Sequence, residues 1–354
     1  MSKQNRISRR FVLSAVALAV VGGSVGLTQP VTAAPAPEAS TSAYIYPVLP
    51  GTDAWKKLAT HDDMLRVTQV PATALAGMST AALVDTVLRY PLYDDMLAFD
   101  DLQKGFEKMS AGFDGFSALA ARPDAGAALL QRYESMSPAI AEKSTLLEQG
   151  QADASFRRIE TLLTQSSIRK TMTASQLSRL ATVGQSKQLG KQARADVYGK
   201  ASSSLIFTPT DNNTTIYTPR GSAVAAINMT TELTSAQITS NNNYVASNYP
   251  NATRLRNSSR RYNCHSYAWY DQGTGNTKWI NSPGDDKFWT DGSYIPNSNV
   301  GQGGRKVSYR NDDHSAITVN ATVFDSKWGQ LPLMRHNYNY TPYNSSALYY
   351  YSRA

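Results

Sequence analysis

Asn263-Cys264-His265-Ser266-Tyr267-Ala268-Trp269-Tyr270 is the stretch on which both fold and chemistry turn. A polar asparagine precedes the single cysteine of the chain, and small and aromatic residues follow it, so the stretch reads as a loop that opens a helix at Cys264. Exposed N–H groups at a helix N-terminus favour a thiolate over a thiol. A thiolate nucleophile also needs an imidazole to take its proton. Three of the four histidines, His265, His314 and His336, lie in the same half as the cysteine. His265 is the next residue along, about 100° around a helix from Cys264, and is read as structural or substrate-facing. His314 opens a strand-like apolar run, Ser315-Ala316-Ile317-Thr318-Val319.

Outward from this stretch, the chain divides by texture. After Ser202 it is rich in Asn, Thr, Ser, Tyr and Gly. Ile216–Thr218 and Ala223–Met229 read as strands joined through the turn Pro219-Arg220-Gly221; Val307–Tyr309, Ala316–Val319 and Thr322–Phe324 are further strands. Glu232–Tyr249 reads as a helix that stops before Pro250. Residues 44–200 are helical in pattern. Leu83, Val84, Val87 and Leu88 recur behind Ser79, a good N-cap, and the run ends before Pro91. Phe99, Leu102, Phe106 and Met109 keep the same period, and Pro123 and Pro138 fall where later helical segments start. The expected fold class is α+β: an all-α helical domain over 44–200, then an α+β domain over 202–354 with a small antiparallel sheet.

At the other end, Lys3, Arg6, Arg9 and Arg10 precede an apolar run from Phe11 to Val21 and small residues through Ala33-Ala34. This is the order of a signal peptide, residues 1–33, followed by an Ala/Pro/Ser/Thr-rich linker over 34–43. Ser8-Arg9-Arg10-Phe11-Val12-Leu13 resembles the twin-arginine export signal, which implies a bacterial protein that is secreted or held at the cell surface. Four of the 35 basic residues and none of the 27 acidic ones lie in the leader, so its removal lowers the formal charge from +8 to +4. That modest excess suits contact with an anionic cell surface, and no basic cluster interleaved with aromatics points to nucleic acid. No stretch after the leader is apolar for long enough to span a membrane. One cysteine excludes an intrachain disulfide and a cysteine-built metal centre, and no cofactor motif is present.

Cys264-His265-Ser266-Tyr267-Ala268 resembles the papain-like pattern C-x-[AS]-[FY]-[AS] around the nucleophile. Asp313-His314-Ser315-Ala316-Ile317-Thr318-Val319 looks like the base-bearing segment of that clan, and Asp325-Ser326-Lys327-Trp328-Gly329 is similar to the segment that supplies its orienting residue. The separations, 50 residues from Cys264 to His314 and 12 more to Ser326, are similar to those of compact NlpC-type and CHAP peptidases and amidases of bacterial cell walls. The resemblance covers about residues 262–329. It implies a cysteine hydrolase of amide bonds in peptidoglycan or protein, with Cys264 as nucleophile and His314 as base. Asp325 or Ser326 would hold the imidazole, because the usual asparagine is missing; Asn320 and His336 are further candidates. Asn263 or Tyr262 would supply an oxyanion donor, and His265 and Trp328 would face substrate. The protein is expected to act as a monomer.

Two other classes fit the same residues: a transglutaminase-like acyl transferase, with an amine as acceptor, and a non-catalytic surface or binding module in which Cys264 is a small buried hydrophobe. A zinc site from Cys264, His314 and His336 lacks paired ligand spacing. His61, beside Asp62 and Asp63, reads as a solvated or capping residue. Trp279, Trp289, Tyr294, Trp328 and Tyr338 could line a groove but are better read mostly as core.

Overall fold

The structure, a computed structural model, describes residues 39–192, 211–310 and 314–354. The expected signal peptide and the first half of the linker lie outside the described residues. No helix among the described residues is long and apolar enough to cross a membrane.

The chain is helical over residues 53–191 and carries antiparallel sheets thereafter, as the change of texture near Ser202 predicts. Helix ends follow local chemistry. Ser79 caps the Thr80–Leu88 helix by accepting from the Ala82 N–H at 3.2 Å. Capping boxes start the Leu146–Thr164 helix at Thr145 and Glu148, and the Ser235–Asn248 helix at Thr234 and Gln237. Two expectations need correction. Pro138 lies in the connection before Thr145 and starts no helix. Phe99 lies outside the helix it seemed to share with Leu102, because Asp101 caps a new helix, Leu102–Ala111, after the 3₁₀ turn Tyr93–Ala98.

Strands β1 (Asn212–Tyr217) and β2 (Ala223–Asn228) form the expected hairpin, with Gly221 at φ 86° in its turn, and β4 (Lys278–Trp279) joins their small sheet. The main sheet is larger than expected. It has seven strands in the order β3 (Thr253–Arg256), β9 (Leu333–Asn337), β8 (Val323–Lys327), β7 (His314–Thr318), β6 (Lys306–Tyr309), β10 (Leu348–Arg353), β5 (Tyr294–Pro296), every neighbouring pair antiparallel. The Leu333-Met334-Arg335-His336 segment and the Tyr-rich tail, which carry no strict alternation of apolar and polar residues, supply β9 and β10.

The boundary expected near residue 201 separates two textures and not two cores. From Glu38 onward the chain is one compact unit. One cluster of buried side chains joins Trp55, Leu83 and Leu163 of the helices to Tyr249, Val307, Ala316, Phe324 and Trp328 of the second half. Polar groups cross the same boundary. Asp95 accepts from the Tyr244 and Tyr249 hydroxyls, each at 2.8 Å, and lies 3.1 Å from His61 Nε2, so His61 is a partly buried partner of Asp95 and not a solvated residue.

The two longest helices in this contact, Leu146–Thr164 and Ser235–Asn248, approach most closely at Gly150, where a Cβ would lie 2.2 Å from the Ala236 carbonyl oxygen. Alanine normally stabilises a helix interior by about 1 kcal/mol over glycine. At this position the sign reverses: Gly150→Ala is expected to lower unfolding stability by about 1–3 kcal/mol, since the backbone contact cannot yield cheaply. Urea unfolding checks this, and an increased midpoint would contradict it.

Candidate active site

The helical turn at the cysteine begins at Cys264, as its sequence predicts, and widens to a π-helix over Ser266–Tyr270. Asn263 starts it: the side-chain oxygen accepts from the Ser266 N–H at 3.2 Å, the N-cap geometry. The same fully buried side chain accepts from the Ile280 N–H (3.3 Å) and donates to the Ile280 carbonyl (2.6 Å) and to Asp100 Oδ1 (3.0 Å). Asn263 is therefore a scaffold residue that joins three segments, beyond the donor role expected for it. The turn packs on the face of the main sheet that carries Ser315, Ile317 and Lys327.

The histidine beside Cys264 is its immediate neighbour. The sulfur, a ring nitrogen of His265 and a carboxylate oxygen of Asp100 lie within 4.8 Å of one another. His265 Nδ1 lies 2.8 Å from Asp285 Oδ2 and 2.9 Å from Ser315 Oγ, and Trp269 Nε1 donates to that hydroxyl at 2.8 Å. Nε2 is buried, has no hydrogen-bond partner, and is turned toward Asp100 Oδ1 at 3.8 Å. Burial opposes charge on this ring, yet Asp285, the Cys264 sulfur and Asp100 together hold its pKa well above the ordinary imidazole value. Buried and bonded to Asp285 and Ser315, His265 fits the structural role read from the sequence; the rotation of about 100° between adjacent helical residues nonetheless leaves a ring nitrogen within 4.8 Å of the sulfur.

His314 is placed elsewhere. Side chains alternate along β7, so with Ser315 turned to the Cys264 helix, His314 and Ala316 face the opposite side. The His314 ring stacks on Tyr343 with centroids 3.5 Å apart and meets the edge of Tyr309. Neither nitrogen has a hydrogen-bond partner among the described residues. Burial, reinforced by His336 and His265, holds its pKa well below the ordinary value. The structure thus does not bring His314 to Cys264, contrary to its expected role as base.

The expected orienting residues fare similarly. Asp325 is held by both nitrogens of Arg335, at 2.8 and 2.9 Å across the β8–β9 pair. Ser326 points to the far face, where its hydroxyl lies 2.7 Å from His336 Nε2 and accepts from Trp328 Nε1 at 3.0 Å. Burial pushes His336 down to about 4. Trp328 is fully buried against Tyr249 and so faces core, not substrate. Tyr262 packs near Tyr267, with the Lys327 ammonium 5.2 Å from its ring centroid.

No protein-family model, curated protein or solved structure matches the chain.

Four residues absent from the expected set complete the site: Asp100, Asp285, Ser315 and Lys327. The buried Lys327 amine donates to the carbonyls of Ser259 (2.8 Å), Leu331 (2.6 Å) and Gly329, and burial lowers its pKa to about 7, while the nearby Cys264 sulfur acts in the other direction. Ser315 and Lys327 stood inside the quoted His314 and Asp325–Gly329 segments; Asp100 and Asp285 carry no local signature. Asp100, Cys264 and His265 could together offer a metal ion three donors. That set is one short of the four usual in a structural zinc site, and a buried amine shares its surroundings. A cavity of about 330 Å³ between Arg89, Asp94, Arg158 and Asn248 lies apart from these residues.

A raised folded-state pKa means that the charged His265 ring stabilises the fold at pH below about 6.5, and that this contribution is lost as pH rises through the elevated value. NMR titration should find His265 still protonated well above pH 6.5, and Asp285→Asn should move its titration downward. A wild-type His265 that titrates near 6.5 would contradict the arrangement.

Proposed function

We propose that the chain is an exported cysteine hydrolase of amide bonds, with Cys264 as nucleophile, His265 as its proton acceptor and donor, and Asp285 as the residue that positions the imidazole. The observation that carries this reading is the grouping of sulfur, imidazole and carboxylate within 4.8 Å, in which Nδ1 is bound to Asp285 while Nε2 is turned toward Asp100 with no hydrogen-bond partner among the described residues. That is the division of labour an activated nucleophile requires. With the thiol proton already resident on the charged His265 ring, the sulfur attacks the carbonyl carbon, and His265 gives that proton to the departing amine. Water then releases the acid from the thioester and regenerates the thiol. The leader and the small positive excess of the remaining chain support cell-wall peptidoglycan or an extracellular protein as the source of the amide.

The test is release of amines from purified sacculi, and from a mixed peptide library, by the mature chain. Cys264→Ala is expected to abolish release, His265→Gln to slow it by about 10²–10⁴-fold, and His314→Gln to leave it in place. Release unaffected by Cys264→Ala would end the proposal; loss with His314→Gln but not His265→Gln would assign the base to His314.

A further inference from the structure

Cys264 is only 2% exposed, and Asp100, from the helical region, lies beside it. The segment 97–100 leads from the shared core to the site, held by the Gln330 N–H donating to the Leu97 carbonyl at 2.8 Å, by the Tyr343 hydroxyl donating to the Ala98 carbonyl, and by the edge of Phe99 against Tyr343, with ring centroids 5.2 Å apart. It passes so close to Gly329 that a Cβ there would lie 2.4 Å from the Leu97 carbonyl oxygen. Asp100 then projects into the cluster. Its two oxygens are taken one each by a donor: Asn263 Nδ2 on Oδ1 and the Ser282 N–H on Oδ2, both at 3.0 Å. The Cys264 sulfur and the His265 ring lie beside it.

A carboxylate held by two converging N–H donors next to a thiol and an imidazole occupies the place of the acid that amide hydrolysis releases. We infer that the Asn263 amide and the Ser282 N–H form a carboxylate-binding subsite beside Cys264, and that Asp100 fills this subsite from within, so that the folded chain works at a reduced rate and the 97–100 segment is its displaceable inhibitor. The reduced rate rests on the hydrolase reading; occupation of a carboxylate-binding subsite does not. Burial penalises the Asp100 charge and raises its pKa despite His265, the Ser282 N–H, Lys104 and Asn263. Displacement opens the donors to the carboxylate of a ligand without disturbing the Asn263 cap of the Cys264 helix.

The test uses the whole mature chain, whose one thiol makes alkylation by iodoacetamide a report on Cys264 alone. Wild type is expected to react slowly. Asp100→Ala is expected to react at least tenfold faster with an unchanged circular dichroism spectrum. Sodium acetate, a free carboxylate, should slow the variant back toward wild type, whereas sodium chloride at equal ionic strength should not. An Asp100→Ala rate equal to wild type, or a fast variant indifferent to acetate, would overturn the inference. If Asp100→Ala loses its native spectrum, Phe99→Ala loosens the same segment and is read by the same alkylation rates: acceleration supports the inference and an unchanged rate overturns it. Acetate-sensitive acceleration with no amine release from sacculi by either wild type or Asp100→Ala would retire the hydrolase reading while supporting the occupied subsite.

Discussion

The buried amide of Asn263 is the constraint from which the rest of the site follows. Its oxygen caps the helix that presents Cys264 and holds the Ile280 N–H; its nitrogen binds the Ile280 carbonyl and Asp100. An apolar side chain there would leave several buried polar groups without partners, each costing about 1–3 kcal/mol. No other residue type of that size supplies both a donor and an acceptor in one plane. Through this one side chain the start of the Cys264 helix, the strand-end segment at Ile280 and the helical region are held in a common frame, and Ser282 follows two residues on with its bond to the same Asp100.

The period of the β-strand then decides which histidine stands on the Cys264 side of the sheet. Ser315 binds His265 and Trp269 on one face, so His314 must stand on the other, among Tyr309, Tyr343 and the shared core. The same rule divides β8: Asp325 and Lys327 stand on the thiol side, and Phe324 and Ser326 on the core side. Asp325, though on the correct face, is neutralised by Arg335 on the next strand. Asp285 comes from outside the sheet, in a short 3₁₀ turn, to lie 2.8 Å from His265 Nδ1.

What could be read from the sequence is what local chemistry dictates. The export leader aside, the helical and α+β halves, the Ser79 cap, the Pro219–Gly221 hairpin and the opening of a helix at Cys264 all depend on residues within a few positions of one another. The assignments at the site failed where they needed tertiary information. Strand phase could not be known for His314, since its neighbours Ser315 and Ala316 are both small and suit either face. Asp100 lies 164 positions before Cys264 with no motif around it, and its partnership depends on the packing of the helices against the sheet. The expectation of two domains failed for a related reason: change of composition marks a change of secondary structure, whereas shared cores are made by apolar side chains that look alike on both sides of the boundary.

The central claim is that the helical region and the cysteine-bearing helix are energetically one site, joined through Asp100 and Asn263. A double-mutant cycle measures this without reference to any activity. Unfolding free energies of wild type, Asp100→Ala, Asn263→Ala and the double variant should show a coupling of about 1.5–3 kcal/mol, the worth of a buried hydrogen bond to a charged group. Additivity of the two substitutions within about 0.5 kcal/mol would contradict the account.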